Sequence, residues 1–526
     1  VNSYYLTELE SQLLNNLFDK KEHGDIYRLG KLFSTESSNY FYDTGTGKVL
    51  LLDDEIYKIM DCLFDRNNSE TYESFINQSV SISSKSIQEF IQVVMEENLL
   101  QAPKLNKLYT YNHYENLENM VDNNLSQLIL ELTGKCNLRC GYCIYNDDYI
   151  YNRSFNNEDM SQTVAKKAID YANEHSEKEV AITFYGGEPL MNFGLLKWCI
   201  DYSRKTIIGK ELTFSLTTNL TLITERIAKY FAEVPGLRIV CSLDGPEEVQ
   251  NSYRKYVNGK GTFSEAIRGL KHLVDAFSGT ENSISINSVL APPYNYTKIE
   301  SINNFFENLS WLPKDTNISI GYAAEDSVPN KEQHIQELSN DSKYKTKQGS
   351  INPLWIWQKG QTEINEKIRN GSNSIYASAA EESLLKIHKR FIFDKPKDFY
   401  PFNGCCIPGS RRLYVDTKGD FYVCERVGLS PSIGNVYDGI NLKELRKHYI
   451  EDFSNLSSEK CSDCWAIRLC SQCYVNCYTK DGFDKNAKDQ KCRVQRHAAE
   501  RELSFYHSVY EKTPYKLEYL NDIEVY

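Results

Sequence analysis

A chain of 526 residues with 41% hydrophobic content has room for two to four domains and an ample core. It has no uninterrupted apolar run near membrane-span length, which excludes a membrane helix and leaves the membrane out as a partner. The formal net charge of −12 comes with no basic tract, so nucleic acid is excluded as the main partner, because phosphate binding needs clustered Lys and Arg.

The first five residues, Val1-Asn2-Ser3-Tyr4-Tyr5, lack the basic start and apolar core of a secretory signal, so a cytoplasmic location is expected. Fifteen cysteines crowd into two zones, which in a long chain reads as metal ligation in a reducing compartment. Residues 1–30 read as an amphipathic helix closed by a polar turn at His23-Gly24-Asp25. Residues 31–104 read as a separate winged-helix-like module. Two short strands at 39–43 and 48–52 flank Thr44-Gly45-Thr46-Gly47, a hairpin signal, and three helical patterns follow. Asp53 and Asp54 can cap the first helix, and Ser86 with Glu89 suggests a capping box for the third. This order resembles the peptide-recognition domain fused to many enzymes that modify ribosomally made peptides. The resemblance implies a leader peptide that binds by adding a strand to the module's sheet edge.

Residues 105–126 are polar and rich in Asn and Tyr, and read as a linker. From 127 to 325, strand-like runs at 128–132, 180–185, 212–216, 237–243, 283–290 and 317–322 alternate with helical stretches such as 160–175 and 263–277. Six β/α units predict parallel strands in a partial (β/α)6 barrel, whose site lies at the strands' C-terminal ends. At the end of the first strand stand Cys136, Cys140 and Cys143, with three and then two residues between them. Three close thiolates suit an iron–sulfur cluster with one metal position left open, where a structural zinc site wants four ligands. This spacing after a strand, with the aromatic Tyr142 before the third cysteine, resembles the radical S-adenosylmethionine (SAM) enzymes.

The companion motifs follow the later strands. Gly186-Gly187-Glu188-Pro189 resembles the family's element for the amine of SAM: glycines allow close approach, and a carboxylate can hold an ammonium. Thr217 and Asn219 stand where the family has a polar patch facing the cofactor, although Leu220 replaces the usual Gly. Ser242 and Arg254, with Asp244 between them, match the Ser and Arg that bind the cofactor's carboxylate and ribose region in peptide- and sulfatase-maturing enzymes. Asn251 stands where those relatives often have His. No catalytic acid or base is assignable.

Residues 326–400, with Trp355 and Trp357, form a polar bridging region. Residues 401–500 hold Cys406, Cys424, Cys461, Cys464, Cys470, Cys473, Cys477 and Cys492 besides Cys405, and 413–416 with 421–424 suggest a hairpin. This pattern resembles the SPASM extension, which carries two auxiliary four-iron clusters. The match covers the opening, the C-x2-C-x5-C portion and the distal Cys492, and departs in the spacing of Cys470, Cys473 and Cys477. The resemblance implies one cluster on Cys406, Cys424, Cys473 and Cys477, and another on Cys461, Cys464, Cys470 and Cys492. Structural zinc is the alternative for such C-x2-C pairs. Cys62, Cys199 and Cys241 read as small core hydrophobes. The tail, 501–526, continues a helix.

The fold class is therefore α/β: a partial (β/α)6 barrel between a winged-helix-like module and a SPASM cluster domain. The whole resembles a radical SAM/SPASM peptide maturase of the thioether-forming type. That implies SAM, three [4Fe-4S] clusters, a precursor peptide whose leader binds 31–104, and a reductant such as flavodoxin or ferredoxin. The alternatives are a sulfatase-type maturase forming formylglycine, a carbon–carbon cross-linking peptide cyclase, and a zinc-stabilised peptide-binding protein without catalysis.

Overall fold

Thr7 starts helix α1 (Glu8–Glu22) with a capping box: its hydroxyl accepts from the Glu10 amide, and the Glu10 carboxylate accepts from the Thr7 amide. The computed structural model describes residues 6–78, 82–145, 154–323, 359–360, 374–398, 406–426, 428–474, 477–479 and 482–523. Most of the bridging region with Trp355 and Trp357, and Cys405, lie outside the described residues.

After α1 comes a strand absent from the two-stranded sequence reading. β1 (Gly30–Ser34) pairs antiparallel with β2 (Asn39–Asp43), which pairs with β3 (Val49–Leu52) in the order β1-β2-β3. Helices α2 (Asp54–Phe64), α3 (Tyr72–Gln78) and α4 (Ser84–Glu96) follow as expected. Asp53 caps α2, accepting from the Glu55 and Ile56 amides. The α4 box does not form at Ser86 and Glu89. The helix begins earlier because Ser83 accepts from the Ser86 amide at 3.0 Å, and the Ser86 hydroxyl goes to Glu55 of α2 at 2.6 Å. Leu14, Phe18, Ile59, Leu63, Phe75 and Ile87 close the module's own core.

The expected linker at 105–126 is packed instead. Leu117, Val121 and Leu125 recur every fourth residue and are buried in the barrel core, with Leu105 and Leu108. Leu117 and Val121, one turn apart in the short helix Leu117–Asn123, with three more buried leucines outweigh the Asn and Tyr around them.

The six expected parallel strands are all present: β4 (Gln127–Thr133), β5 (Glu179–Gly186), β6 (Glu211–Thr218), β7 (Arg238–Ser242), β8 (Ser283–Leu290) and β9 (Asn317–Tyr322). Alternate residues such as Leu128, Leu130, Ile182, Phe184, Phe214 and Leu216 join the core with the helices Gln162–His175 and Phe193–Thr206. The sheet does not stop at six. β10 (Arg412–Val415) lies parallel to β4, and its hairpin partner β11 (Asp420–Tyr422) leads to β12 (Gly434–Asn435) and β13 (Gly439–Ile440), giving ten strands. The cysteine-rich region is therefore woven into the barrel sheet.

The helix Lys485–Lys512 then runs back to the N-terminal module. His507 lies against the rings of Phe33 and Tyr40, 5.3 and 5.0 Å between centroids, and Arg468 donates to the Thr44 and Gly45 carbonyls. Among the described residues, no helix is long and apolar enough to cross a membrane.

Candidate functional site

β4 carries the three-cysteine loop at its C-terminal end, and the next strands supply its walls. The two glycines after β5 serve that loop. The Gly187 amide donates to the Thr133 carbonyl at 2.9 Å and the Glu188 amide to the Lys135 carbonyl at 2.8 Å. A Cβ on Gly187 would stand 2.2 Å from the Lys135 oxygen, and one on Gly186, at φ +136°, 2.3 Å from the Thr133 oxygen. The close approach expected toward a ligand is thus made first to the loop's own backbone.

Glu188 is 1% exposed. It accepts from the Leu190 and Asn219 amides and from the Thr218 hydroxyl at 2.9 Å. Burial pushes its carboxyl up to about 7 against the pull of these donors. The Asn219 amide group donates to Asn137 at 2.9 Å and lies 4.0 Å from the Cys136 sulfur. From the end of β6, the Asn219 amides reach Glu188 and Asn137, and the Thr218 hydroxyl reaches Glu188. Thr217 stays in the ladder opposite Val240. Leu220 takes φ +70°, the left-handed conformation for which Gly is the easier residue.

Around Cys140 lies a charged network. The Arg254 guanidinium donates to the Asp244 carboxylate at 3.3 Å through Nε and to the Cys140 sulfur at 3.5 Å through Nη1. Asp244 also accepts from the Tyr142 hydroxyl at 2.5 Å and the Val289 amide at 3.1 Å. The Gln250 side chain accepts from the Asp244 amide and donates to Thr262. Tyr142 leans on Tyr253, whose hydroxyl shares the Pro292 carbonyl with the buried Lys298. Gln250, Tyr253 and Lys298 were missed, and nothing in their local sequence singles them out. Ser242, 8% exposed, ends β7 opposite Asn287. Asn251 serves the fold: its side-chain oxygen accepts from the Thr262 and Phe263 amides at the start of the helix Phe263–Phe277, whose own N-cap residue Thr262 makes no side-chain capping bond.

Four of the auxiliary cysteines gather in one place. Cys461, Cys464, Cys470 and Cys492 line one cavity of about 410 Å³ together with Gln472, Lys488 and Arg496. Lys488, 2% exposed, places its ammonium 3.1 Å from the Cys461 sulfur. Four thiols and a buried cation around such a space fit a thiolate-ligated group larger than one ion. A single zinc, with Zn–S of about 2.3 Å, draws its sulfurs to within about 4 Å of one another. Among the described residues, no three His, Cys, Asp or Glu side chains stand close enough to hold a single ion. Of the other four, Cys477 is fully buried beside Cys473 and 3.9 Å from the Gln472 side chain of that cavity, and the Tyr474 hydroxyl donates to the Cys406 carbonyl. Cys424 follows β11, near Tyr449.

Burial pushes the Cys136 and Cys143 thiols up to about 12 and Cys470 to about 11, so ligation at these sites must displace protons. Cys199 and Cys241 are fully buried in the core, and Cys62 donates to Glu70 at 3.1 Å.

Residues 130–306 match the model of the Radical SAM superfamily. The chain is 28% identical over 329 residues to an uncharacterized protein of Methanocaldococcus jannaschii, covering 62% of this chain and 93% of that one. It is 26% identical to the radical SAM cyclopropyl synthase TigE of Paramaledivibacter caminithermalis, covering 47% of this chain and 52% of that one. It is 32% identical to a serine-type anaerobic sulfatase-maturating enzyme of Bacteroides thetaiotaomicron, covering 26% of this chain and 34% of that one. The chain thus spans about half or less of these two named relatives. The solved structure of native anSMEcpe with bound AdoMet and Cp18Cys peptide shares the fold, with a TM-score of 0.52 and 21% identity over 76% of this chain and 100% of that one.

Proposed function

We propose that this enzyme, which uses S-adenosylmethionine through its radical SAM domain, modifies a ribosomally made precursor peptide, installing thioether cross-links from Cys to carbon. The peptide reading rests chiefly on the N-terminal module. Among the described residues, β3 pairs on one side only, with β2. Beside its other edge lies an apolar cavity of about 320 Å³ between β3 and α4, lined by Leu50, Leu51, Leu52, Phe90, Val93 and Val94. Leu51 is 65% exposed. An extended leader can add here as a fourth strand, held by main-chain hydrogen bonds with its alternate side chains in the cavity.

Cys136, Cys140 and Cys143 would hold the first [4Fe-4S] cluster. Cofactor contacts would come from Tyr142, Gly186, Gly187, Glu188, Thr217, Asn219, Ser242, Asp244 and Arg254. When bound, that cluster and SAM supply a 5′-deoxyadenosyl radical that takes hydrogen from a peptide carbon. Cys461, Cys464, Cys470 and Cys492 would hold one auxiliary cluster and Cys406, Cys424, Cys473 and Cys477 the other. Forming a cross-link is a two-electron oxidation, and these sites give the second electron a destination. A flavodoxin- or ferredoxin-type reductant in a reducing cytoplasm would supply the first.

A second reading, formylglycine formation on a protein Cys or Ser, is favoured by the 32% identity to a sulfatase-maturating enzyme, against 26% to the cyclopropyl synthase. The test is anaerobic. The reconstituted chain is given SAM, a strong reductant and any short cysteine-bearing peptide that proves to be encoded beside its gene. Release of 5′-deoxyadenosine with a product lighter by two hydrogens and short of one free thiol supports the thioether. An aldehyde product supports the second reading, and no 5′-deoxyadenosine overturns both. Iron should reach roughly twelve per chain, for three four-iron clusters.

A further inference from the structure

Arg254 already makes two bonds before any ligand is considered. Its Nε faces Asp244 at 3.3 Å and its Nη1 faces the Cys140 sulfur at 3.5 Å. Arg254 is 7% exposed, Asp244 1% and Cys140 7%. A buried ion pair carries a desolvation cost of several kcal/mol per ion, so it is weak evidence of a purely stabilising role. Its orientation is informative instead. The carboxylate is held by the Tyr142 hydroxyl, the Val289 amide and Arg254 Nε, and the guanidinium is the end that donates to Cys140. The pair is thus a fixed dipole with its positive end on one cysteine of the triad. A guanidinium has five N–H donors, and among the described residues these two contacts use two of them, which leaves others for a ligand carboxylate.

We infer that Arg254 has a second role beside binding cofactor: it donates to the Cys140 thiolate and sets how readily the cluster on the triad takes up an electron. This rests on the proposed reading that Cys136, Cys140 and Cys143 hold a four-iron cluster. Adding an electron to a thiolate-ligated cluster makes it more negative. A hydrogen bond and a positive charge at one sulfur favour that reduced state and raise the potential. Asp244, behind the guanidinium, tempers the effect.

The experiment measures the one-electron midpoint of this cluster in the full, cluster-loaded chain without SAM. Its paramagnetic signal is identified as the one missing from the protein carrying Cys136→Ala, Cys140→Ala and Cys143→Ala together. Arg254→Met should make reduction at least tenfold less favourable, about 59 mV for one electron. Arg254→Lys should recover part of the shift. Asp244→Asn should move the midpoint the opposite way, and it carries the test alone should Arg254→Met fail to fold. A role confined to the cofactor's carboxylate would leave every SAM-free midpoint where it was and lower only SAM affinity, and that result overturns the inference. A triple-alanine protein that loses no signal overturns the triad assignment first, and this inference with it.

Discussion

Gly187 has no room for a methyl group, and the reason lies in the loop it supports. A Cβ there would meet the Lys135 carbonyl oxygen at 2.2 Å and the Cys136 Cβ at 3.1 Å. A backbone oxygen cannot swing aside as a side-chain tip can, so the cysteine loop must move. Overpacking of this kind costs about 1–3 kcal/mol, but the larger effect should be local. Gly187→Ala should lose about four of the roughly twelve irons, together with SAM cleavage, and should keep the iron of the cavity around Cys461. Iron content and thermal midpoint on one preparation check this, and full iron with normal cleavage would refute it. Leu220 shows the same economy reversed. Its left-handed φ of +70° is strained for a leucine, and full burial of the side chain offsets the strain.

At the scale of elements, β3 and α4 make a prediction that separates binding from folding. Leu51 is 65% exposed on the open edge, so Leu51→Asp should change stability by no more than about 0.5 kcal/mol. It should weaken binding of a fluorescent leader peptide at least tenfold, by anisotropy. Unchanged affinity would move the leader elsewhere. These elements were also the readable part of the chain. The bounds of β8 and β9 follow from apolar alternation, and those of the helix Phe263–Phe277 from apolar residues every three to four positions, as at Ala266, Leu270, Leu273 and Phe277. The gathering of Cys461, Cys464 and Cys470 at one cavity was legible because the three come from one local run. Thr218, Gln250 and Lys488 were not, because each acts on a residue far away in the chain: Glu188 just past the end of β5, Thr262 beyond a turn, Cys461 on another helix. The place of β10 left a signal that went unused. Leu413, Tyr414 and Val415 form a continuous apolar run, all fully buried, as in a strand covered on both faces, whereas a hairpin on the surface would alternate.

Across the whole molecule, one 28-residue helix, Lys485–Lys512, links the two ends of the proposed chemistry. Its first turns bring Lys488 and Cys492 to the auxiliary cavity, and its last turns bring His507 and Glu511 to β1 and β2 of the module. The module therefore does not hang on a tether; it docks on the same rigid element that lines the cavity. His507 makes that docking sensitive to acid. Burial between Phe33, Tyr40 and Tyr506 pushes its imidazole from 6.5 down to about 4. Above pH 6.5 the ring is neutral both docked and unfolded, and its contribution is fully present. Between 6.5 and about 4 the unfolded ring takes a proton that the docked ring refuses, so stability falls with pH over that window, by on the order of 3 kcal/mol at its lower end. His507→Phe keeps the aromatic packing and cannot titrate. Cluster loss in acid affects parent and variant alike, so the quantity to follow is the difference between their thermal midpoints. That difference should be constant above pH 6.5 and then shift steadily in favour of Phe as the pH falls toward 4. A difference that stays flat would mean that water or a proton reaches the ring in the docked state, and that the long helix holds the module by its other contacts.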